Sequence, residues 1–212
     1  MQERALGIIL RTRQYSETST IVHWLTAEQG RLATIAKGAR KPKSTFAGRL
    51  DLNFLAEFSF QRSSRSTLHT LREVTLLNQF ASVRTEISKL QQIAYTSVLL
   101  EKCVEEDAPA PELFQLYRGF LEHVARTRSS VNSILAFELK FLKEMGLGGE
   151  LHGQNPGIDK LLQVLGESDW EIIDRIKLST SQVAEVTTYL SRQLQEHLQI
   201  LPRQREAALQ KR

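Results

Sequence analysis

Hydrophobic and polar positions along the chain follow two different rhythms. Up to about residue 80 the apolar positions come in short runs that nearly alternate. Leu6, Ile8 and Leu10 alternate with small or polar residues, and Ile21, Val22, Trp24 and Leu25 follow the polar stretch from Ser16 to Thr20. Leu32, Thr34 and Ala36 alternate after Gly30, and two more runs extend from Leu50 to Phe60 and from Thr67 to Leu77. Alternation of this kind buries one side of a strand, and the Gly, Ser, Asn and Gln segments between the runs supply turns. Five strands in about 80 residues predict a small closed barrel, of which the OB-fold is the commonest of that size. The spacing alone also admits an SH3-like barrel.

After Asn78 the period lengthens. Val83, Ile87, Leu90, Ala94 and Val98 step by three or four, as one buried face of a long helix would. Asp107-Ala108-Pro109-Ala110-Pro111 ends it, because proline cannot continue a helix. A second helix is expected from about Glu112 to Arg126, burying Leu113, Leu116, Phe120 and Val124. A third follows Ser129 and Ser130, natural N-caps, carries Ile134, Phe137, Leu142 and Met145, and stops at Gly146. The glycine-rich stretch 146–157 reads as a loop, followed by short helical runs around Leu161 and Ile172. Ser179 or Thr180 then caps a last amphipathic helix through Val183, Val186, Leu190, Leu194 and Leu198. The fold class is therefore α+β: a five-stranded OB-fold barrel over residues 1–79, then an all-helical bundle over residues 80–212.

Composition adds a charge asymmetry. The 212 residues carry a formal charge of +4, with 41% hydrophobic and 25% charged residues, an ordinary globular balance. Residues 1–80 hold 12 Lys/Arg against 6 Asp/Glu, or +6, leaving −2 for the remainder. A basic barrel on a nearly neutral bundle points to a polyanionic partner for the first part. No apolar run approaches the roughly 18 residues of a membrane span. Residues 1–10 are too short and mixed for a secretory signal, so a cytoplasmic protein is expected. The single cysteine, Cys103, excludes an intramolecular disulfide and a multi-thiolate metal site.

The densest positive charge lies between the third and fourth strand runs, in residues 37–49. Lys37, Arg40, Lys41 and Lys43 fall within seven residues, and no acid occurs between Glu28 and Asp51. Gly38, Pro42 and Gly48 forbid a regular element there, so the segment is a cationic loop. Such a loop can track a phosphate backbone by displacing counterions, with Ser44 and Thr45 adding hydroxyl contacts. Arg49, Arg11, Arg13, Arg31, Arg62 and Arg65 are further cations of the barrel. Trp24, Phe46, Phe54 and Tyr15 are candidate stacking surfaces for bases, although Trp24 fits a core position better and Tyr15 an exposed one. An isolated charge run more often only solvates a surface. Here it interrupts a barrel that holds all the excess charge, which puts a nucleic-acid site on an equal footing with a merely solvated surface.

Catalytic constellations are missing. The run from Gly38 to Ser44 lacks the glycine that a P-loop places before its Lys-Ser pair, and neither a Gly-x-Ser-x-Gly nor a His-Glu-x-x-His occurs. The histidines at 23, 69, 123, 152 and 197 are scattered, with His123 and His197 read as helix-surface residues. Glu105-Glu106-Asp107 and Asp169, Glu171 and Asp174 read as a helix end and a helix start. A non-catalytic protein is expected.

Against this background, Gly7-Ile8-Ile9-Leu10-x-x-Arg13-x-Tyr15-Ser16-Glu17-Thr18-Ser19 resembles the opening of the bacterial RecO recombination mediators of DNA repair. Thr26-x-Glu28-x-Gly30-Arg31-Leu32 and Ala36-Lys37-Gly38-Ala39-Arg40-x-x-Lys43-Ser44 resemble the next two blocks of that family. Phe137-Glu138, Leu142 and Gly146 match more loosely. The resemblance implies an OB-fold with a helical domain. It also implies binding of single- and double-stranded DNA, strand annealing, and help in loading recombinase on DNA coated with single-strand-binding protein. It implies RecR and the acidic C-terminal tail of single-strand-binding protein as partners, no membrane, and a cytoplasmic place at the nucleoid during repair. The family's basic barrel residues fall on Lys37 and Arg40, with Lys41 and Lys43 beside them. Two departures matter. Many members carry a four-cysteine zinc site after the third helix, whereas residues 146–157 here hold no cysteine, so no zinc or other cofactor is expected. Some members place arginines just before the Phe-Glu pair to grip the protein tail. Here these positions are Leu135 and Ala136, leaving Arg118, Lys140 or Lys143 to supply the charge. The alternatives are an RNA-binding OB-fold protein and a non-catalytic protein-docking adaptor.

Overall fold

A computed structural model describes residues 2–147 and 156–210. Five strands form: β1 (Gln2–Gln14), β2 (Thr20–Thr26), β3 (Gly30–Ala36), β4 (Leu55–Gln61) and β5 (Leu68–Asn78). They close into a barrel in the order β1-β2-β3-β5-β4, with β1 paired antiparallel to both β2 and β4 and only β3–β5 parallel. This is the five-stranded OB-fold barrel expected from the alternation. In the core, Trp24 stacks on Phe58 at 4.0 Å between ring centroids, and its Nε1 donates to Thr34 Oγ1 at 2.8 Å. Ile9, Val22, Leu32, Phe60 and Leu71 complete the core around that pair. The fourth strand is shorter than the run from Leu50 to Phe60. Asn53 sits at φ 64 and its N–H donates to Ile9 O at 2.7 Å, so residues 50–54 turn before the ladder begins.

The chain separates into two compact units. The first contains the chain up to Phe80 together with Ser97–Gln115, and the second contains Ala81–Thr96 and Leu116 onward. Within the first unit, residues 101–110 are tied to the barrel by backbone bonds. Arg31 N–H donates to Glu105 O at 3.0 Å, Asp107 N–H to Arg31 O at 3.2 Å, and Ala110 N–H to Ala27 O at 2.9 Å. The first helix, α1 (Ile87–Cys103), therefore ends before the proline-rich stretch, because Glu106 bridges to Gly30 and Arg31 instead of continuing the helix. Gly30 is required at this junction. It sits at φ +56, and a Cβ there would lie 2.1 Å from Ala108 O.

The second unit is helical. Besides the first part of α1 it holds most of α2 (Pro111–Arg126), then α3 (Val131–Glu144), α4 (Pro156–Glu167), α5 (Trp170–Ile173), α6 (Thr180–Leu198) and α7 (Gln204–Leu209). α3 is central and buried from Val131 to Leu139, and the Ser130 Oγ accepts from Asn132 N–H at its start. Ser179 and Gln182 form a reciprocal capping box at the start of α6, and Val186, Leu190 and Leu194 face inward.

Three sequence expectations need correction here. The stripe Ile87, Leu90 and Ala94 on α1 is exposed, Ile87 at 62%; the buried side instead carries Lys89, Gln92, Tyr95 and Thr96. Their polar groups made that side look like the solvent face, but Gln92 donates to Ser130 O and Thr96 to Gln92 O. His123 is not a surface residue. Its Nε2 lies 3.0 Å from Ser133 Oγ and its ring stacks on Trp170. Finally, α6 is not the last helix, since α7 follows it.

Candidate nucleic-acid interface

The strand register brings one set of cations together. Gln14 of β1 pairs with Thr20 of β2, which pairs with Ala36 of β3. With strands about 4.8 Å apart, these residues line one rim of the barrel across roughly 10 Å. Arg13 precedes Gln14 on that rim, and Lys37 follows Ala36. The 37–49 loop then leaves β3 in successive turns: Lys41 N–H donates to Gly38 O, Ser44 to Lys41 O, Ala47 to Ser44 O and Arg49 to Phe46 O. Arg40 N–H donates to Thr18 O at 3.0 Å and fastens the loop to the β1–β2 hairpin.

Phe46 decides which way this loop faces. It is buried in the barrel core, with Ala39 and Leu50 packed against the same cluster. Fixing those apolar side chains inward leaves Lys37, Arg40, Lys41 and Lys43 exposed. Among the described residues, none of these four, nor Arg13, is paired with a carboxylate. Unpaired, solvated cations on one rim are free to exchange their counterions for phosphates.

The other candidate cations are already engaged. Arg31 is bound within its own unit: it donates to Glu101 O at 2.7 Å and pairs with Glu106 at 3.1 Å. Arg11 pairs with Glu101 at 3.2 Å. Arg62 joins Glu3 at 2.7 Å and Asp107 at 2.9 Å, and its guanidinium holds the Glu3 carboxyl below its ordinary pKa. Arg49 remains exposed but donates to Val74 O at 3.0 Å, and Arg65 is exposed between β4 and β5. Arg31, Arg11 and Arg62 thus secure residues 101–107 to the barrel. No sequence signal marked the pairing with Glu101, Glu106 and Asp107, because these acids follow in the chain only after all five strands.

The aromatic candidates divide as sharply. Trp24, Phe46 and Phe54 are core residues and offer no stacking face. Tyr15 is exposed. Of the hydroxyls, Ser44 Oγ accepts from Phe46 N–H at 3.2 Å, while Thr45 is exposed.

In the helical unit, Lys140 Nζ donates to Gly166 O at 3.1 Å and Ser168 O at 2.8 Å and lies over the Trp170 ring. It closes the C-terminal end of α4, and burial lowers its pKa. Arg118 pairs with Glu122 one turn away at 3.1 Å. Lys143 is exposed and unpaired among the described residues.

The described residues contain no group of three or more His, Cys, Asp or Glu side chains able to hold a metal. Residues 148–155, most of the segment expected to lack zinc, lie outside the described residues. Cys103 is half-buried, and burial pushes its thiol up to about 11, far from a reactive thiolate. No helix among the described residues is long and apolar enough to cross a membrane.

Comparison with known proteins agrees with this architecture. Residues 1–80 match the family described as recombination protein O N terminal, and residues 84–154 match recombination protein O C terminal. The DNA repair protein RecO of Syntrophobacter fumaroxidans is 36% identical over 143 residues, 68% of this chain and 56% of that protein. Those of Rhodopirellula baltica and Bacillus pumilus are each 32% identical, over 66% and 68% of this chain and 52% and 56% of theirs. The chain spans about half the length of the curated relatives it matches. A barrel and a helical unit matched in order by the two halves of one family description, with relatives above 30% identity, establish that the chain belongs to the RecO family.

Proposed function

We propose that this protein acts in DNA repair as a non-catalytic recombination mediator whose barrel rim holds DNA strands by their phosphates. The observation that carries the reading is the set of unpaired, outward-facing cations Arg13, Lys37, Arg40, Lys41 and Lys43 on one rim, over a loop pinned by Phe46. Two DNA strands repel each other through their charge. A cationic rim lowers that repulsion by releasing condensed counterions, so complementary strands can approach and pair. Contacts made mainly to phosphates leave base edges free and give little sequence preference. Both single strands and duplexes then bind. The family membership supports a further step, in which the protein helps load recombinase on DNA covered by single-strand-binding protein. RecR and the acidic tail of single-strand-binding protein are the partners of that step. In the helical unit Lys143 is available to an acidic peptide, whereas Lys140 and Arg118 are already occupied.

A strand-annealing assay at low and moderate salt, with and without single-strand-binding protein, tests the reading. Lys37→Glu with Arg40→Glu should slow annealing and weaken binding to both DNA forms. Unchanged annealing by that double variant would overturn it. Tighter binding to RNA than to DNA of the same sequence would move the function to RNA.

A further inference from the structure

Among the described residues, Tyr15 is the one large aromatic side chain that is exposed, at 59%. It lies where β1 leaves the barrel, two residues after Arg13 and beside the β1–β2 turn to which the cationic loop is fastened. That turn is tied internally. Tyr15 N–H and Ser16 N–H both donate to Ser19 O, at 3.0 and 3.3 Å, and Ser16 Oγ accepts from the N–H of Thr18 and of Ser19. The Arg40 bond to Thr18 O adds a tie from the loop. The backbone beneath Tyr15 is therefore held, while the ring itself has no aromatic partner among the described residues. A tyrosine has only two side-chain torsions, so an exposed ring on a held backbone loses little freedom on meeting a flat ligand.

Resting on the reading of this rim as a DNA site, we propose that Tyr15 stacks on one nucleobase and makes the site prefer unpaired strands. Arg13, Lys37 and Arg40 would hold the flanking phosphates of the same strand. Every base has a π face, so the contact is tolerant of sequence. Stacking engages the face of a base and leaves its pairing edge open to a complementary strand. In a duplex both faces of an internal base are taken by its neighbours, and the Tyr15 contact is lost. Pairing of two strands on the rim thus withdraws the base from Tyr15 and loosens the hold on the annealed product.

The test measures fluorescence anisotropy of the full chain with three labelled probes: oligothymidylate, an abasic phosphodiester chain of equal length, and a duplex. Tyr15→Ala should bind oligothymidylate at least about fivefold more weakly, the low end for loss of one stacked base. Its binding to the abasic chain and the duplex should not change, and Tyr15→Phe should behave as the unchanged chain. Equal loss on all three probes would mean a structural role and overturn the proposal. So would normal oligothymidylate binding by Tyr15→Ala, or a loss in Tyr15→Phe as large as in Tyr15→Ala. Lys37→Glu with Arg40→Glu separates the two levels. If that variant loses all three probes while Tyr15→Ala loses none, the phosphate rim stands and the stacking role falls. If the unchanged chain binds none of the probes, both fall.

Discussion

Removing two cations from the rim should change the salt dependence of DNA binding by a calculable amount. The unpaired rim cations are Arg13, Lys37, Arg40, Lys41 and Lys43. If each neutralises one phosphate, the slope of log affinity against log salt is about −3.5 for a single strand and about −4.5 for a duplex. Between about 50 and 200 mM salt, single-strand affinity then falls roughly 130-fold. Lys37→Ala with Arg40→Ala leaves three contacts, a slope of about −2.1 and a fall of roughly 18-fold. Alanine is preferred to glutamate here because it removes a contact without adding repulsion. Neither side chain has a partner in the described structure, so the melting temperature should hold. Arg4 is the internal control: it lines a cleft with Glu28, Glu57 and Glu73, where phosphate would be repelled, and Arg4→Ala should leave the slope alone. The assay is an anisotropy titration at several salt concentrations. An unaltered slope in the double alanine variant would refute the assignment, as would an equal change in Arg4→Ala.

Two further predictions concern the fold that carries the site. Arg205 of α7 grips the fully buried Glu138 with two bonds of 2.7 and 2.8 Å, and Tyr95 donates to the same carboxylate at 2.6 Å. Arg205→Met alone should cost about 3–5 kcal/mol by leaving Glu138 charged and unpaired, and the further change Glu138→Gln should recover part of it. Equal urea midpoints for the single variant and the unchanged chain would refute this. Burial holds His23, His69 and His123 below the ordinary histidine value of 6.5. The unfolded chain takes up those protons first, so stability is kept above 6.5 and lost as pH falls from there through the lowered folded values. Urea midpoints measured on acidification should decline, and less steeply in His123→Gln; a flat profile would contradict the burial argument.

The sequence by itself determined the division into barrel and helices, because a period of two and a period of 3.6 are written in local order. It also determined the polarity of the rim loop, where Gly38, Pro42 and Gly48 exclude regular structure and Lys37, Arg40, Lys41 and Lys43 lie close together. Capping was equally local, and Ser130 and Ser179 both cap as their residue types predict. Tertiary structure decided which cations are free. Arg31 and Arg13 look alike in sequence, yet Arg31 meets Glu106 and Arg13 meets no acid among the described residues, since pairing over that separation depends on how the chain closes. The exposed stripe on α1, the burial of His123 and the Glu138–Arg205 pair were invisible for the same reason. A side chain's neighbours along the chain fix its conformational preferences, but its burial and charge balance depend on residues brought to it only when the fold is complete.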